Sequence, residues 1–175
     1  MGVELREARR GDELAVADVH IRAWQEAYRG LIPAEFLDAL DPADRARTYT
    51  FEASDPAAPT TVLAVEAGEG GEETILGFTA FCPSRDADAH GLGEVAALYV
   101  DPDRHRGGVG RLLMAEARRR LHDAGFTEAL LWVLDGNDRA TRFYEREGWT
   151  PDGSTRVEHP YGVVSNVSRF RRRLS

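Results

Sequence analysis

The stretch LGEVAALYVDPDRHRGGVGRLLMAEARRRLHDAGFTEALLWVL, Leu92–Leu134, decides the fold. Leu92–Val100 reads as a strand that ends at the Asp101-Pro102 turn. A helix follows over Gly110–Ala124, with Val109, Leu113, Ala117 and Leu121 recurring every four residues and Gly125 stopping it. Glu128–Leu134 is nearly all apolar, which predicts a central strand covered on both faces. A strand–helix–strand crossover of this kind joins parallel neighbours within one sheet.

Upstream, Val3–Arg9 alternates apolar and polar residues and reads as a first strand. Asp12–Tyr28 carries Leu14, Ala17, Ile21, Trp24 and Tyr28 at helical spacing, and Gly30 and Pro33 interrupt it. Ala34–Leu40 and Ala43–Phe51 form a second helical region, split near Pro42. Thr60–Ala67 and Thr74–Phe81 read as strands joined by the glycine-rich GEGGEE, and Cys82–Gly91 as a polar loop. Downstream, Asn137–Glu147 is a helix opened by Asn and closed by Gly148. Two strands follow, Trp149–Gly153 continuing weakly to Val157, and Val163–Arg172, separated by HPYG. The order predicts one α/β domain over residues 1–175, a mixed sheet with helices on both faces.

Composition narrows the function. The 175 residues are 42% hydrophobic and 30% charged, as in ordinary globular chains. No apolar run approaches the roughly 20 residues that span a bilayer, and the N-terminus lacks the apolar core of a signal peptide. A cytoplasmic protein without a membrane partner is expected. The single cysteine, Cys82, excludes an internal disulfide and a cysteine-cluster zinc site, so no metal is expected; no neighbouring motif activates it as a nucleophile. A net charge of −8 argues against nucleic-acid binding and mildly favours cationic partners.

The three glycines 107, 108 and 110 strip side chains from the turn into the helix, where the first amides lack intrahelical partners and sit at the positive end of the dipole. Such a turn can close around a phosphate. The nucleotide-triphosphatase loop, G-x-x-x-x-G-K-S/T, fails because no Lys-Ser or Lys-Thr pair follows Gly110. The dinucleotide motif G-x-G-x-x-G fails because its third glycine is missing and the turn comes late in the chain.

ALYVDPDRHRGGVGRLLMAEA, with LLWVLDGNDRATRFYEREGW after it, resembles the acetyl-coenzyme A site of the GNAT superfamily of N-acetyltransferases. The first segment is similar to that family's pyrophosphate motif, Q/R-x-x-G-x-G/A, aligned on Gly108 and Gly110 with His105 at the Gln/Arg position. The second matches N-x-x-A-x-x-F-Y-x-x-x-G-F/W through Asn137, Ala140, Phe143, Tyr144, Gly148 and Trp149. The resemblance implies an acyl-CoA N-acyltransferase fold: a mixed, mostly antiparallel sheet of about seven strands with helices on both faces. It also implies acetyl-CoA as co-substrate and direct transfer to a primary amine of a small molecule, peptide or protein. A homodimer is common in the family.

Carried over residue by residue, the pantetheine arm would lie along Leu98, Tyr99 and Val100, with Asn137 contacting it. The pyrophosphate would lie over His105, Arg106, Gly107, Gly108, Val109, Gly110 and Arg111. Asn137 also suits a plain helix cap. Tyr144 is implied as the general acid for the leaving thiolate; without that role it is part of the helix face packed on the sheet. Glu94 is implied as the base, the alternative being a solvated strand-end carboxylate. The resemblance would place Trp24 and Tyr28 beside the acceptor; the alternative is core aromatics on the amphipathic first helix. His20 reads as a surface helix residue. A competing reading is a non-catalytic acyl-CoA-binding domain on the same fold, to which the histidine at position 105 lends support.

Overall fold

The computed structural model describes residues 2–52, 54–104, 107–159 and 162–175. Seven strands form one sheet: β1 (Val3–Glu7), β2 (Thr60–Ala67), β3 (Glu73–Pro83), β4 (Gly93–Val100), β5 (Glu128–Leu134), β6 (Thr150–Glu158) and β7 (Ser165–Arg173). Their spatial order is β1-β2-β3-β4-β5-β7-β6. The β4–β5 pair is parallel, and every other neighbouring pair is antiparallel. The helices are α1 (Glu13–Ala27), α2 (Ala34–Asp38), α3 (Pro42–Ala46), α4 (Val109–Asp123) and α5 (Asp138–Arg146).

Alternation along β2 shows how the layers form. Leu63 and Val65 pack with Val16 and Val19 of α1, whereas Ala64 packs with Val109 and Leu113 of α4. Successive residues thus point to opposite faces, and each face is closed by a helix. The larger core lies under α4 and α5, where Met114, Ala117 and Leu121 meet Leu131, Val133, Phe170 and the fully buried Trp149. Gly77 lets β3 approach β4: a Cβ there would stand 2.7 Å from the Tyr99 carbonyl oxygen.

Several expectations shift. The helical stripe on α1 is rotated: Leu14 is 58% exposed, while His20 is buried beside Val16, Val19 and Ile21. The second helical region is two five-residue helices, the latter capped by Asp41 accepting from the Ala43 amide (2.8 Å). β6 runs through to Glu158, with a register shift between Pro151 and Thr155. β5 is central, as its apolar run predicts, but only one face is under helices. Trp132 on the other face is only half-buried and sits beneath arginines: its Nε1 donates to Asp86 (3.0 Å), and the Arg156 guanidinium lies 4.0 Å above its ring. Arg169 closes that layer, buried and bonded to Asp86, Asp88 and Asp152. No described helix is long and apolar enough to cross a membrane.

Candidate active site

The site begins with a break in the sheet. β4 and β5 pair only at Gly93↔Ala129 and Glu94↔Leu130. Immediately beyond, β4 carries a bulge: Ala80 faces Ala97 and Phe81 faces Val95, leaving Ala96 as the extra residue. A bulge bends its strand and increases local twist, so β4 turns away from β5. Both strands then present an edge that no strand pairs, Val95–Val100 on one side and Leu131–Leu134 on the other. Between them opens a cleft of about 710 Å³.

The mouth of the cleft is the start of α4. Gly108 caps that helix in the left-handed conformation (φ 75°), which a residue with a side chain adopts at a cost. Val109, Gly110 and Arg111 supply the first helical amides, which lack a carbonyl one turn earlier. Gly107 differs from expectation: its amide donates to the Arg104 carbonyl (3.2 Å) and is spent on the turn. His105 and Arg106 lie outside the described residues. The turn is pinned by Asp101, buried at 8% exposure, which accepts two hydrogen bonds from Arg22 of α1 (3.0 and 2.7 Å) and one from the Asp103 amide (2.9 Å). The Arg22 guanidinium holds the Asp101 carboxyl below the usual carboxylate range.

The opposite wall is α5. Asn137 accepts from the Ala140 amide (3.2 Å), so it caps the helix while lining the cleft; both roles are compatible. Phe143 packs 3.6 Å from where a Gly110 side chain would begin, bringing the body of α5 against the start of α4. Tyr144 lines the cleft and packs on the core at once. Burial, then the neighbouring Tyr99, raises its phenol above the ordinary value, so the hydroxyl keeps its proton.

Leu98, Tyr99 and Val100 line the cleft as the motif implies, and Tyr28 stands with them. Tyr28 is hydrogen-bonded to Tyr99, and burial is the main cause that raises its phenol. Trp24 does not line the cleft; it packs edge-on against Tyr28, ring centroids 4.9 Å apart. His20 departs from the surface role expected of it. It is 4% exposed, stacks on Tyr99 at 4.4 Å and shares a 2.7 Å hydrogen bond between Nδ1 and the Tyr49 hydroxyl. Burial, with Arg45 nearby, holds its pKa down at about 3.

Glu94 also differs from the solvated strand end. It is 3% exposed, and its carboxylate accepts from the Arg85 amide, Nε and Nη2 (3.1, 3.3 and 2.7 Å). It is not among the residues lining the cleft. The described carboxylates that do line it are Glu26, at the end of α1, and Glu147, just after α5. Sequence reading singled out neither, because only the packing of α1 and α5 brings them to the gap. Cys82 is buried, and burial pushes its thiol up to about 11, which suits no nucleophilic role.

An open mixed sheet parted between two parallel strands, with a glycine turn and a helix N-terminus at the gap, defines an acyltransferase of the kind the motifs resemble. Residues 21–149 match the family model described as the acetyltransferase (GNAT) family, and the chain belongs to that family. It is 30% identical over 135 residues to the uncharacterized N-acetyltransferase YuaI of Bacillus subtilis, covering 77% of this chain and 73% of that one. To the mycothiol acetyltransferase of Geodermatophilus obscurus it is 36% identical over 80 residues, 45% of this chain but 26% of that longer protein. In fold it resembles the PaiA N-acetyltransferase of Thermoplasma acidophilum, solved in complex with coenzyme A. That match has a TM-score of 0.67 at 18% identity over 99% of both chains. Membership decides between the catalytic and non-catalytic readings in favour of an acetyltransferase.

Proposed function

We propose that the protein transfers the acetyl group of acetyl-CoA directly to a primary amine of a small molecule, peptide or protein. The parting of β4 from β5 carries this reading: it leaves two unpaired strand edges beside a helix N-terminus, a fit for a polar arm ending in a diphosphate. Leu98–Val100 would hydrogen-bond the pantetheine arm through their backbone, with Asn137 facing them across the gap. Val109, Gly110 and Arg111 would take the diphosphate. The co-substrate supplies an activated thioester.

The chemistry then belongs to the residues along the gap. A C–N bond forms to the acetyl carbon, the C–S bond breaks, and the leaving thiolate takes the Tyr144 proton. Desolvation that raises the phenol also raises the thiol formed beside it, so the two remain matched for transfer. The amine must lose a proton. With a pKa of about 10.4 it reaches the neutral form at pH 7 at a cost of about 4–5 kcal/mol. Glu94 is one candidate acceptor, and because Arg85 holds it away from the cleft it would take that proton only through water. Glu26, which lines the cleft and pairs with Arg139 (3.6 Å), is the other candidate acceptor.

Calorimetry with acetyl-CoA, using ATP and NAD as controls, tests the binding, and thiol release over a panel of amines tests the transfer. Selective acetyl-CoA binding with amine-dependent thiol release is expected. Equal binding of ATP or NAD, or no release with any amine, overturns the reading. Tyr144→Phe should lower kcat by about 10²–10⁴ while leaving acetyl-CoA affinity nearly unchanged.

A further inference from the structure

The cleft has two unlike halves, because it runs between strands whose side chains alternate. Leu98 and Val100 of β4 turn toward α4, where they pack with Val109 and Leu113. Ala97 and Tyr99 turn the other way, into the cluster of Val16 and Val19 under α1. β5 divides in the same manner. Leu131 and Val133 enter the core under α4, while the Trp132 ring lies on the opposite face with Asp86 and Arg156. On that face α1 adds Ala23, Ala27 and Tyr28 to the lining. The half beside α1 is therefore walled by three aromatic rings and three alanines.

Among the described residues, this half presents no charge without its opposite. Glu26 of α1 and Arg139 of α5 line it 3.6 Å apart and offset each other. Trp132 Nε1 is spent on Asp86 (3.0 Å), and the guanidinium over its ring donates to Asp86 (2.9 Å) and Glu158 (2.8 Å). The Tyr28 and Tyr99 hydroxyls are bonded to each other, and stacking on His20 at 4.4 Å holds the Tyr99 ring in place. A second charge on an incoming molecule would leave water here without an opposite charge to receive it, which is costly. An apolar body gains instead, by about fourfold in affinity for each methylene buried.

We infer that the acceptor is a primary amine on an uncharged, apolar body, which lies against Trp132 and Tyr28 in the half beside α1 while its nitrogen reaches the thioester in the gap. The inference rests on the acetyl-transfer reading above and names the class of amine within it. The helix start of α4 and the face of α5 that carries Phe143 and Tyr144 bound the other half, so the two substrates enter from opposite faces of the sheet. The net charge of −8 attracts the ammonium group of any amine from a distance and does not sort one body from another. That choice falls to the walls, which are fixed before the acceptor arrives.

The test is thiol release from acetyl-CoA by the unaltered protein over the straight-chain amines from ethylamine to hexylamine, which ionise alike. Diaminohexane and aminohexanoate then place a positive or a negative charge at the far end of the same chain. kcat/KM should rise about two- to fourfold per methylene, and either terminal charge should lower it about tenfold or more below hexylamine. A rise below about twofold per methylene, or a charged-end amine used as well as hexylamine, overturns the apolar acceptor while the acetyl-transfer reading stands. No release with any amine overturns the two together. Ala27→Asp, at the exposed last residue of α1, sets a carboxylate in this wall. It should leave acetyl-CoA affinity unchanged by calorimetry and move the hexylamine-to-diaminohexane ratio of kcat/KM about tenfold toward the diamine. An unchanged ratio overturns the placement of the acceptor beside α1.

Discussion

Acidification should destabilise the fold through one ring, His20, well before the carboxylates titrate. In the folded chain its pKa is about 3, because burial among Trp24, Phe78 and Tyr99 disfavours the imidazolium. Unfolded, the ring returns to about 6.5. The unfolded state then binds more protons over the interval between these values, so stability falls as pH falls through it. The slope approaches about 1.4 kcal/mol per pH unit, and going from pH 7 to pH 5 should remove about 2 kcal/mol. The carboxylates act elsewhere on the scale: Arg22 holds Asp101 below the usual range, and Arg119 helps hold Glu116 at about 2, so their contributions are lost only at lower pH. Among the other described histidines, His90, His122 and His159 are exposed. The assay is urea unfolding at a series of pH values, compared with His20→Phe, which keeps a ring against Tyr99 but cannot protonate. The variant should lose the Tyr49 hydrogen bond at every pH and show a flat profile between pH 7 and pH 5. Parallel pH profiles for the two proteins would refute the assignment of the slope to His20.

Three further outcomes are expected. Glu26→Gln and Glu94→Gln separate the two candidate proton acceptors: the true one should flatten the alkaline rise of kcat/KM, whereas loss of a purely structural Glu94–Arg85 pair should lower stability and leave the pH profile in place. Gly108→Ala should cost about 1 kcal/mol in unfolding, because of its φ of 75°, and weaken acetyl-CoA binding by disturbing the first α4 amides. Trp149→Ala should cost about 3–5 kcal/mol in urea unfolding, since the ring is fully buried at the junction of α4, β5 and β7; a loss below about 1 kcal/mol would contradict that packing.

How much was legible depends on whether the signal was local. Thr60–Ala67 and Glu128–Leu134 have the same bounds in sequence and structure, because strong period-2 or continuous apolar runs leave little choice. α4 is displaced by a single residue at each end, its stripe being long and its stops glycines. The short α2 and α3 offer barely one turn each, too little for periodicity to bound them. On α1 the stripe counted from Leu14 missed the buried arc through His20, because an imidazole scores as polar whether or not a ring cluster receives it.

The site divides in the same way. The order of strands and helices, the glycine turn, the Asn137 cap and the Tyr144 position all follow from sequence, since each rests on residue types within a few positions of one another. The cleft itself does not. It exists because β4 bulges at Ala96 after pairing with β5 for two residues, a consequence of register between strands far apart in the chain. The same long-range packing turned Glu94 inward to Arg85, brought Glu26 to the gap and set Arg111 and Arg118 against Glu147. Local sequence determines which backbone each segment adopts; charge, burial and access are set by what the fold brings to face it.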